Sequence, residues 1–140
     1  MTLRWTRPKA CPDKPKTLGK HLLKRRTTLG LSQVQVAFQL AANPWTYLLW
    51  EQDRTKPLPR YYPAIFRFLG YDPFPEPATF AERIAAKRRE LGLSIEQAAK
   101  LTGVDEGTFG RWERGEWKPR MSADAVSRFL AMAPGPGVIG

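Results

Sequence analysis

Apolar residues recur along this chain at helical spacing. Leu22, Leu23 and Leu29 fall on one face of a helix in the first half, and Ile84 and Leu91 repeat the pattern in the second half. Neither half shows the alternation of apolar and polar residues that is typical of a half-buried strand. The pattern therefore predicts an all-α chain built from short helices.

Turn and capping residues follow each of these apolar stripes. Gly30 and Gly92 stand where a helix commonly ends in the left-handed conformation. Ser32 and Ser94 come next and are placed to cap the N-terminus of a second helix. Each half is therefore predicted to contain a pair of helices joined by a short turn.

A third helix is predicted in each half. In the second half, Asp105 caps it after a turn at Gly103. In the first half, Asn43 is the cap and Pro44 takes the first helical position, where its missing N–H costs nothing. Ala41 stands where the second half has Gly103, so a positive φ there would strain the alanine by about 1 kcal/mol.

The chain is an internal duplication. Residues 17–57 align with residues 79–119 without a gap, and 13 of these 41 positions are identical. A period of 62 residues indicates a duplicated small domain and not a solenoid repeat. After the aligned segments, "RYYPAIFRFLG" and "SADAVSRFLAMA" each predict a further helix, so each copy has four to five helices.

Composition marks the boundaries between segments. Proline clusters between the copies, and glycine and proline fill the C-terminus. The predicted segments are a basic N-terminal arm at 1–16, domain 1 at 17–70, a Pro-rich linker at 71–78, domain 2 at 79–133 and a flexible tail at 134–140.

The charge is strongly basic and unevenly distributed. The chain has a formal net charge of +10, which predicts attraction to polyanions such as nucleic acid. Residues 1–78 hold 13 basic and 5 acidic side chains, a net of +8, whereas residues 79–140 hold 10 and 8, a net of +2. The N-terminal arm could follow a phosphate backbone or enter a minor groove. It could equally be a solubilising tail.

Several function classes find no support. One Cys and one His, Cys11 and His21, exclude an internal disulfide and a Cys/His zinc site. His21 lies in a Lys-rich run, where we expect a solvated side chain and not a catalytic one. No segment is long and apolar enough to span a membrane. We therefore expect a cytoplasmic protein with no enzymatic activity, metal, cofactor or small-molecule ligand.

The segment "RRELGLSIEQAAKLTGVDEGTFGRWERG" resembles the Cro/phage-repressor type of helix-turn-helix, the Xre family. The resemblance covers about 17–69 and 79–131, although the turn of copy one departs from the pattern. It implies two tandem lambda-repressor-like domains of four to five helices. Proteins of this type lay the third helix in the major groove of double-stranded DNA.

The resemblance also implies roles for individual residues. An internal ion pair would join Arg26 to Glu51 and Arg88 to Glu113, holding each fold together. Arg111 could bond O6 and N7 of guanine, and Glu106 could accept from a cytosine amino group. The implied base-reading positions are Gln33, Trp45, Thr46 and Leu49 in copy one and Glu106, Thr108 and Arg111 in copy two.

Phosphate contacts would come from basic side chains near helix ends and in the loops that follow. Such contacts would supply much of the affinity, because Gly107 offers no side chain in the reading region of copy two. The candidates are Lys24, Arg25, Arg54, Lys56, Arg60, Lys87, Arg89, Arg114, Lys118 and Arg120.

Copy one carries more apolar residues than one small core can bury. An exposed apolar cluster marks a contact surface, which could meet the other copy, a second chain, another protein or thymine methyl groups. Its predicted members are Val34, Phe38, Trp45, Leu48 and Leu49.

Two hypotheses follow. The first is a sequence-specific DNA-binding transcriptional regulator, a repressor of a bacterium or a mobile element. The second is a protein-interaction module, antitoxin-like or an accessory subunit of a mobile-element complex, in which copy one docks a partner or forms a homodimer.

Overall fold

A computed structural model describes residues 15–119 and 123–133, and within these ranges the fold is entirely helical. The all-α prediction is therefore confirmed. In the described residues there are eight α-helices: α1 Leu18–Leu29, α2 Gln33–Gln39, α3 Pro44–Glu51, α4 Tyr62–Leu69, α5 Phe80–Leu91, α6 Ile95–Thr102, α7 Glu106–Glu113 and α8 Ala123–Ala131. A 3-10 helix at Pro59–Tyr61 precedes α4.

The chain divides into two compact units, with the boundary between Pro75 and Glu76. Unit 1 contains α1 to α4, and unit 2 contains α5 to α8. Most of the predicted N-terminal arm and all of the predicted C-terminal tail lie outside the described residues. None of the helices in the described ranges has the length and apolar character needed to cross a bilayer.

The second helix of each unit begins with a capping box. The Ser32 hydroxyl accepts the Gln35 backbone N–H at 3.1 Å, and the Gln35 side chain accepts the Ser32 N–H at 2.7 Å. Ser94 and Gln97 repeat both bonds in unit 2. These reciprocal bonds satisfy two N–H groups that the helix itself leaves unpaired, so the start of the helix is encoded locally.

The third helices begin where the sequence places them. The Asn43 side chain accepts the backbone N–H of Trp45 at 2.8 Å, and Pro44 occupies the first helical position. In unit 2, the Asp105 carboxylate accepts the backbone N–H of Thr108 at 3.3 Å. Each cap fixes the angle at which the third helix leaves the turn.

Each unit has its own apolar core. The third helix contributes an aromatic pair to it, Tyr47 and Trp50 in unit 1 and Phe109 and Trp112 in unit 2. In unit 1 the core also holds Leu22, Val36, Ala37, Leu40, Ala42, Tyr62, Ile65, Phe66 and Leu69. In unit 2 it also holds Ile84, Ala98, Ala99, Val126 and Phe129.

His21 is buried, so the expectation of a solvated side chain is wrong. It is 3% exposed, and its Nδ1 lies 2.6 Å from the Tyr71 hydroxyl. Tyr71 and Phe74 pack against the core of unit 1. Residues 71–75, which the sequence assigns to a linker, are therefore part of this unit and cover His21.

The turn between α2 and α3 holds a non-glycine residue in a strained conformation. Ala41 has a φ of 56°, and Gly103 has a φ of 74° at the matching place in unit 2. We expect Ala41→Gly to raise the free energy of unfolding by about 1 kcal/mol, because glycine adopts this region without a steric cost. Urea denaturation followed by circular dichroism would measure the change.

The matched control for this prediction is Gly103→Ala. No atom lies within 4 Å of the position that its Cβ would take, so only backbone strain changes. A loss of about 1 kcal/mol is expected there. If Ala41→Gly left the free energy of unfolding unchanged, Ala41 would not be strained in solution.

Candidate nucleic-acid interface

Burial of one face of α7 determines which of its residues meet solvent. The side chains of Phe109 and Trp112 are buried in unit 2, and Gly110 is buried on the same face. Glu106 and Arg111 are consequently exposed. The first turn of the helix thus presents one carboxylate, and its last turn presents one guanidinium. Both groups can hydrogen-bond to base edges in a major groove.

An ion pair fastens the third helix of unit 1 to α1. Arg26 donates from Nε to Glu51 Oε2 at 2.6 Å and from Nη2 to Glu51 Oε1 at 3.1 Å. Its third donor, Nη1, reaches the Leu31 carbonyl at 3.1 Å. The Tyr47 hydroxyl also donates to Glu51. One carboxylate therefore ties α1, the turn that follows it and α3 together.

The environment of Glu51 keeps it ionised. Burial alone would raise the pKa of this carboxyl, but the hydrogen bonds from Arg26, Tyr47 and Gln33 outweigh burial and hold the pKa below its ordinary value. Burial and the neighbouring carboxylate raise the pKa of Tyr47 far above its usual range. The phenol therefore stays protonated and keeps donating to Glu51.

Unit 2 has the same ion pair. Arg88 Nη2 donates to Glu113 Oε1 at 3.0 Å, and Arg88 Nη1 donates to the Leu93 carbonyl at 3.2 Å. The two arginines that the resemblance implies are thus placed against their glutamates in both units. None of the four side chains projects from the outer face of a third helix, which agrees with a structural role.

Two implied base-reading side chains are engaged in local structure. The Gln33 amide donates to Glu51 Oε1 at 3.1 Å, so it belongs to the ion-pair cluster of unit 1. The Thr108 hydroxyl donates to Asp105 Oδ1 at 2.6 Å and reinforces the cap of α7. Both contacts would have to break before these groups could bond a base.

Arg111 has a neighbour that sequence reasoning missed. Its guanidinium carbon lies 4.3 Å from the centre of the Trp117 ring. The turn after α7 produces this contact, because the Glu116 backbone N–H donates to the Arg111 carbonyl at 2.9 Å. The available signal was a tryptophan just beyond the repeated Trp-Glu pair, at a place where copy one has Thr55.

The apolar surface of unit 1 is smaller than predicted. Val34, Phe38 and Trp45 are 61%, 85% and 63% exposed. Leu48 and Leu49 are half-buried, so they are not the exposed residues that the sequence suggests. Leu48 follows the buried Tyr47, and Leu49 precedes the buried Trp50. One position along an α-helix is a rotation of about 100°, so both leucines lie at the edge of the buried face of α3.

Unit 2 is polar where unit 1 is apolar. The places of Val34 and Phe38 are taken by Glu96 and Lys100, whose charged groups lie 3.5 Å apart. The fold therefore does not need apolar residues on this face of its second helix. Thr46, the remaining implied reading position in unit 1, is half-buried beside Trp45.

The candidate phosphate-binding side chains differ in their exposure to solvent. Arg25, Lys87 and Arg89 are half-buried; Arg25 donates to the Phe68 carbonyl at 3.1 Å, and Lys87 donates to the Met132 carbonyl at 2.7 Å. Arg120 lies outside the described residues. The exposed candidates are Lys24, Arg54, Lys56, Arg60, Arg114 and Lys118.

Arg114 and Arg60 illustrate contacts that exposed candidates make within the chain. Arg114 bonds Glu116 through Nε and Nη2, at 3.1 and 3.3 Å, and the Arg60 guanidinium lies 4.9 Å from the Tyr61 ring centre. Exposed contacts of this kind are weak. Arg114 and Arg60 can therefore give up these contacts and bind a phosphate at little cost in free energy.

Comparison with known families identifies unit 2. Residues 79–133 match the family model of a helix-turn-helix domain, over less than half of the chain. No curated protein and no solved structure matches the chain. The matched range begins at the cap of α5 and ends just after α8. Unit 2 is therefore similar to helix-turn-helix domains, a similarity that supports a DNA-binding role.

Proposed function

We propose that this chain, whose residues 79–133 match the family model of a helix-turn-helix domain, is a sequence-specific transcriptional regulator of the Cro/phage-repressor type. The family match together with the exposed first turn of α7 carries the proposal. In this function α7 enters the major groove, where Glu106 and Arg111 meet base edges. The protein acts by occupying an operator as a repressor, and it binds without catalysis.

Unit 1 is proposed to be a second, diverged copy of the same domain. Its helices follow the same order, its second helix has the same capping box, and its ion pair uses the aligned residues Arg26 and Glu51. Unlike α7, α3 presents Trp45 to solvent. The two copies would therefore read different half-sites, and a monomer would recognise an asymmetric operator.

Selection from randomised duplex DNA tests this function. The intact chain should enrich a motif, and its affinity for that motif should exceed its affinity for random duplex by about 10³-fold or more at physiological salt. Affinity should fall steeply between two salt concentrations, because the exposed lysines and arginines release counterions from phosphates. Equal affinity for selected and random duplexes would contradict the proposal.

The exposed apolar surface of unit 1 favours a second candidate function, contact with protein. Val34 and Phe38 lie one turn apart on α2, and water-exposed apolar clusters of this kind commonly mark interfaces. The partner could be a second copy of this chain, a toxin to which this chain is the antitoxin, or another subunit of a mobile-element complex. Such contact is compatible with DNA binding by unit 2.

The double variant Val34→Glu/Phe38→Lys tests for self-association. It copies the Glu96–Lys100 pair of unit 2, so folding should be retained. If two copies meet through this surface, the dimer constant measured by sedimentation should weaken by about 10-fold or more. Binding of unit 2 to its half-site should be unchanged. Equal self-association of the variant and the wild type would exclude this surface as the dimer interface.

A further inference from the structure

Trp117 lies on the flank of the helix that would enter DNA. Its ring is 48% exposed and has the Arg111 guanidinium 4.3 Å from its centre. Cation–π attraction favours this arrangement. Because α7 ends in a turn that hydrogen-bonds back to Arg111, the ring is brought to the guanidinium by the backbone and not by chance approach of two long side chains.

Stacking restricts the arginine without occupying its hydrogen-bond donors. A ring face attracts the cation without acting as a conventional hydrogen-bond acceptor, so the N–H groups of the guanidinium remain able to bond a base. The nearby Glu116 carboxylate is engaged by Arg114 Nε and Nη2. Those bonds hold the pKa of Glu116 below its ordinary value, with Arg111 adding a smaller attraction. Arg111 thus keeps donors available for a base in the last turn of α7.

We propose that Trp117 determines specificity by positioning Arg111 to read a guanine. The proposal rests on the proposed function, DNA recognition by α7. Guanine is the base that offers two acceptors, O6 and N7, at the spacing of an arginine fork. Trp117 itself touches no base; it reduces the number of side-chain conformations that Arg111 loses when it binds.

The feature belongs to unit 2 alone. Leu49 and Thr55 occupy the aligned positions in unit 1, so no cation and no ring are available there. If both units bind DNA, the guanine specified by this pair therefore lies in only one half-site. The two half-sites of the operator would then differ in a defined way.

Selection and competition binding with four forms of the full chain test the inference. They are the wild type, Arg111→Ala, Trp117→Leu and Trp117→Phe. Leucine keeps an apolar side chain but removes the aromatic face, whereas phenylalanine keeps a face on which a guanidinium can stack. Circular dichroism and the thermal midpoint verify that each variant is folded. Duplexes with each of the four bases at the guanine position are the probes.

In wild type, one position of the selected motif should require guanine. In Arg111→Ala, the preference for guanine over the other bases at that position should fall by about 5- to 150-fold. The base preferences at the other positions should change little. Trp117→Leu should lose about two- to fivefold of the same preference, and Trp117→Phe should retain most of it. The salt dependence of binding should be equal in wild type and Trp117→Leu, because no phosphate contact is removed.

Three results would overturn the inference while leaving the proposed function intact. Trp117→Leu could retain the full guanine preference, it could weaken binding to all sequences equally, or Arg111→Ala could leave every position of the motif unchanged. The second result would make Trp117 a structural residue only. If wild type itself selects no motif, the proposed function fails, and the inference fails with it.

Discussion

Replacing Glu51 with alanine should lower the free energy of unfolding of unit 1 by about 3–5 kcal/mol. The Glu51 side chain is 4% exposed and accepts bonds from Arg26, Tyr47 and Gln33. Its removal leaves a partly buried guanidinium and a buried phenol without their acceptor. The loss is large because these groups remain desolvated while their partner is gone.

Urea denaturation of the full chain, followed by circular dichroism and tryptophan fluorescence, would measure this loss. The control is Glu116→Ala, which removes the exposed partner of Arg114 and should leave the free energy of unfolding nearly unchanged. Equal midpoints for the two variants would contradict a structural role for the ion pair of unit 1.

The effect of Glu51→Ala should also depend on pH. Because the folded-state pKa of Glu51 lies below its ordinary value of 4.5, the carboxylate stabilises unit 1 fully above that value. This contribution disappears as the pH falls through the folded-state pKa. The difference between wild type and Glu51→Ala should therefore be constant near neutrality and shrink on acidification below about pH 4.5.

Gly19→Ala should destabilise unit 1 by about 3 kcal/mol. A Cβ at this position would lie 2.6 Å from a carboxylate oxygen of Asp53 and 2.7 Å from the Glu51 carbonyl, with the Trp50 carbonyl closer still. Two of these three atoms are backbone, so they cannot turn aside as the end of a side chain could. The first turn of α1 would have to move away from the end of α3.

Unit 2 provides the control for Gly19→Ala. Ala81 takes the matching place and faces Gly115, so Ala81→Gly should cost no more than about 1 kcal/mol, through helix propensity. Thermal unfolding of both variants beside wild type would compare them. A Gly19→Ala protein as stable as wild type would mean that α1 and the end of α3 are farther apart in solution.

The two units use different residues where the start of the first helix meets the end of the third helix. In unit 1, Asp53 adopts a positive φ and its carboxylate accepts from the Thr17 hydroxyl at 2.6 Å and the Gly19 N–H at 3.1 Å. In unit 2, Gly115 supplies the positive φ and leaves room for Ala81. Unit 1 therefore has its glycine at the start of the first helix, Gly19, whereas unit 2 has its glycine after the third helix, Gly115.

The sequence by itself determined the local features of this protein. Ser32, Ser94, Asn43 and Asp105 cap the helices as predicted, because a capping bond joins residues two or three positions apart. The ungapped alignment of residues 17–57 with residues 79–119 is also visible in the sequence alone, as is the helix-turn-helix motif of residues 79–133.

Only the tertiary structure decided the burial and the contacts of several individual side chains. His21 is covered by Tyr71 from 50 positions away, and Gln33 bonds Glu51 from 18 positions away. Leu48 and Leu49 lie on the flanks of α3, and the turn after α7 stacks Trp117 on Arg111. These outcomes depend on how helices and turns pack against one another, and that geometry is set by the whole core of each unit and not by nearby residues.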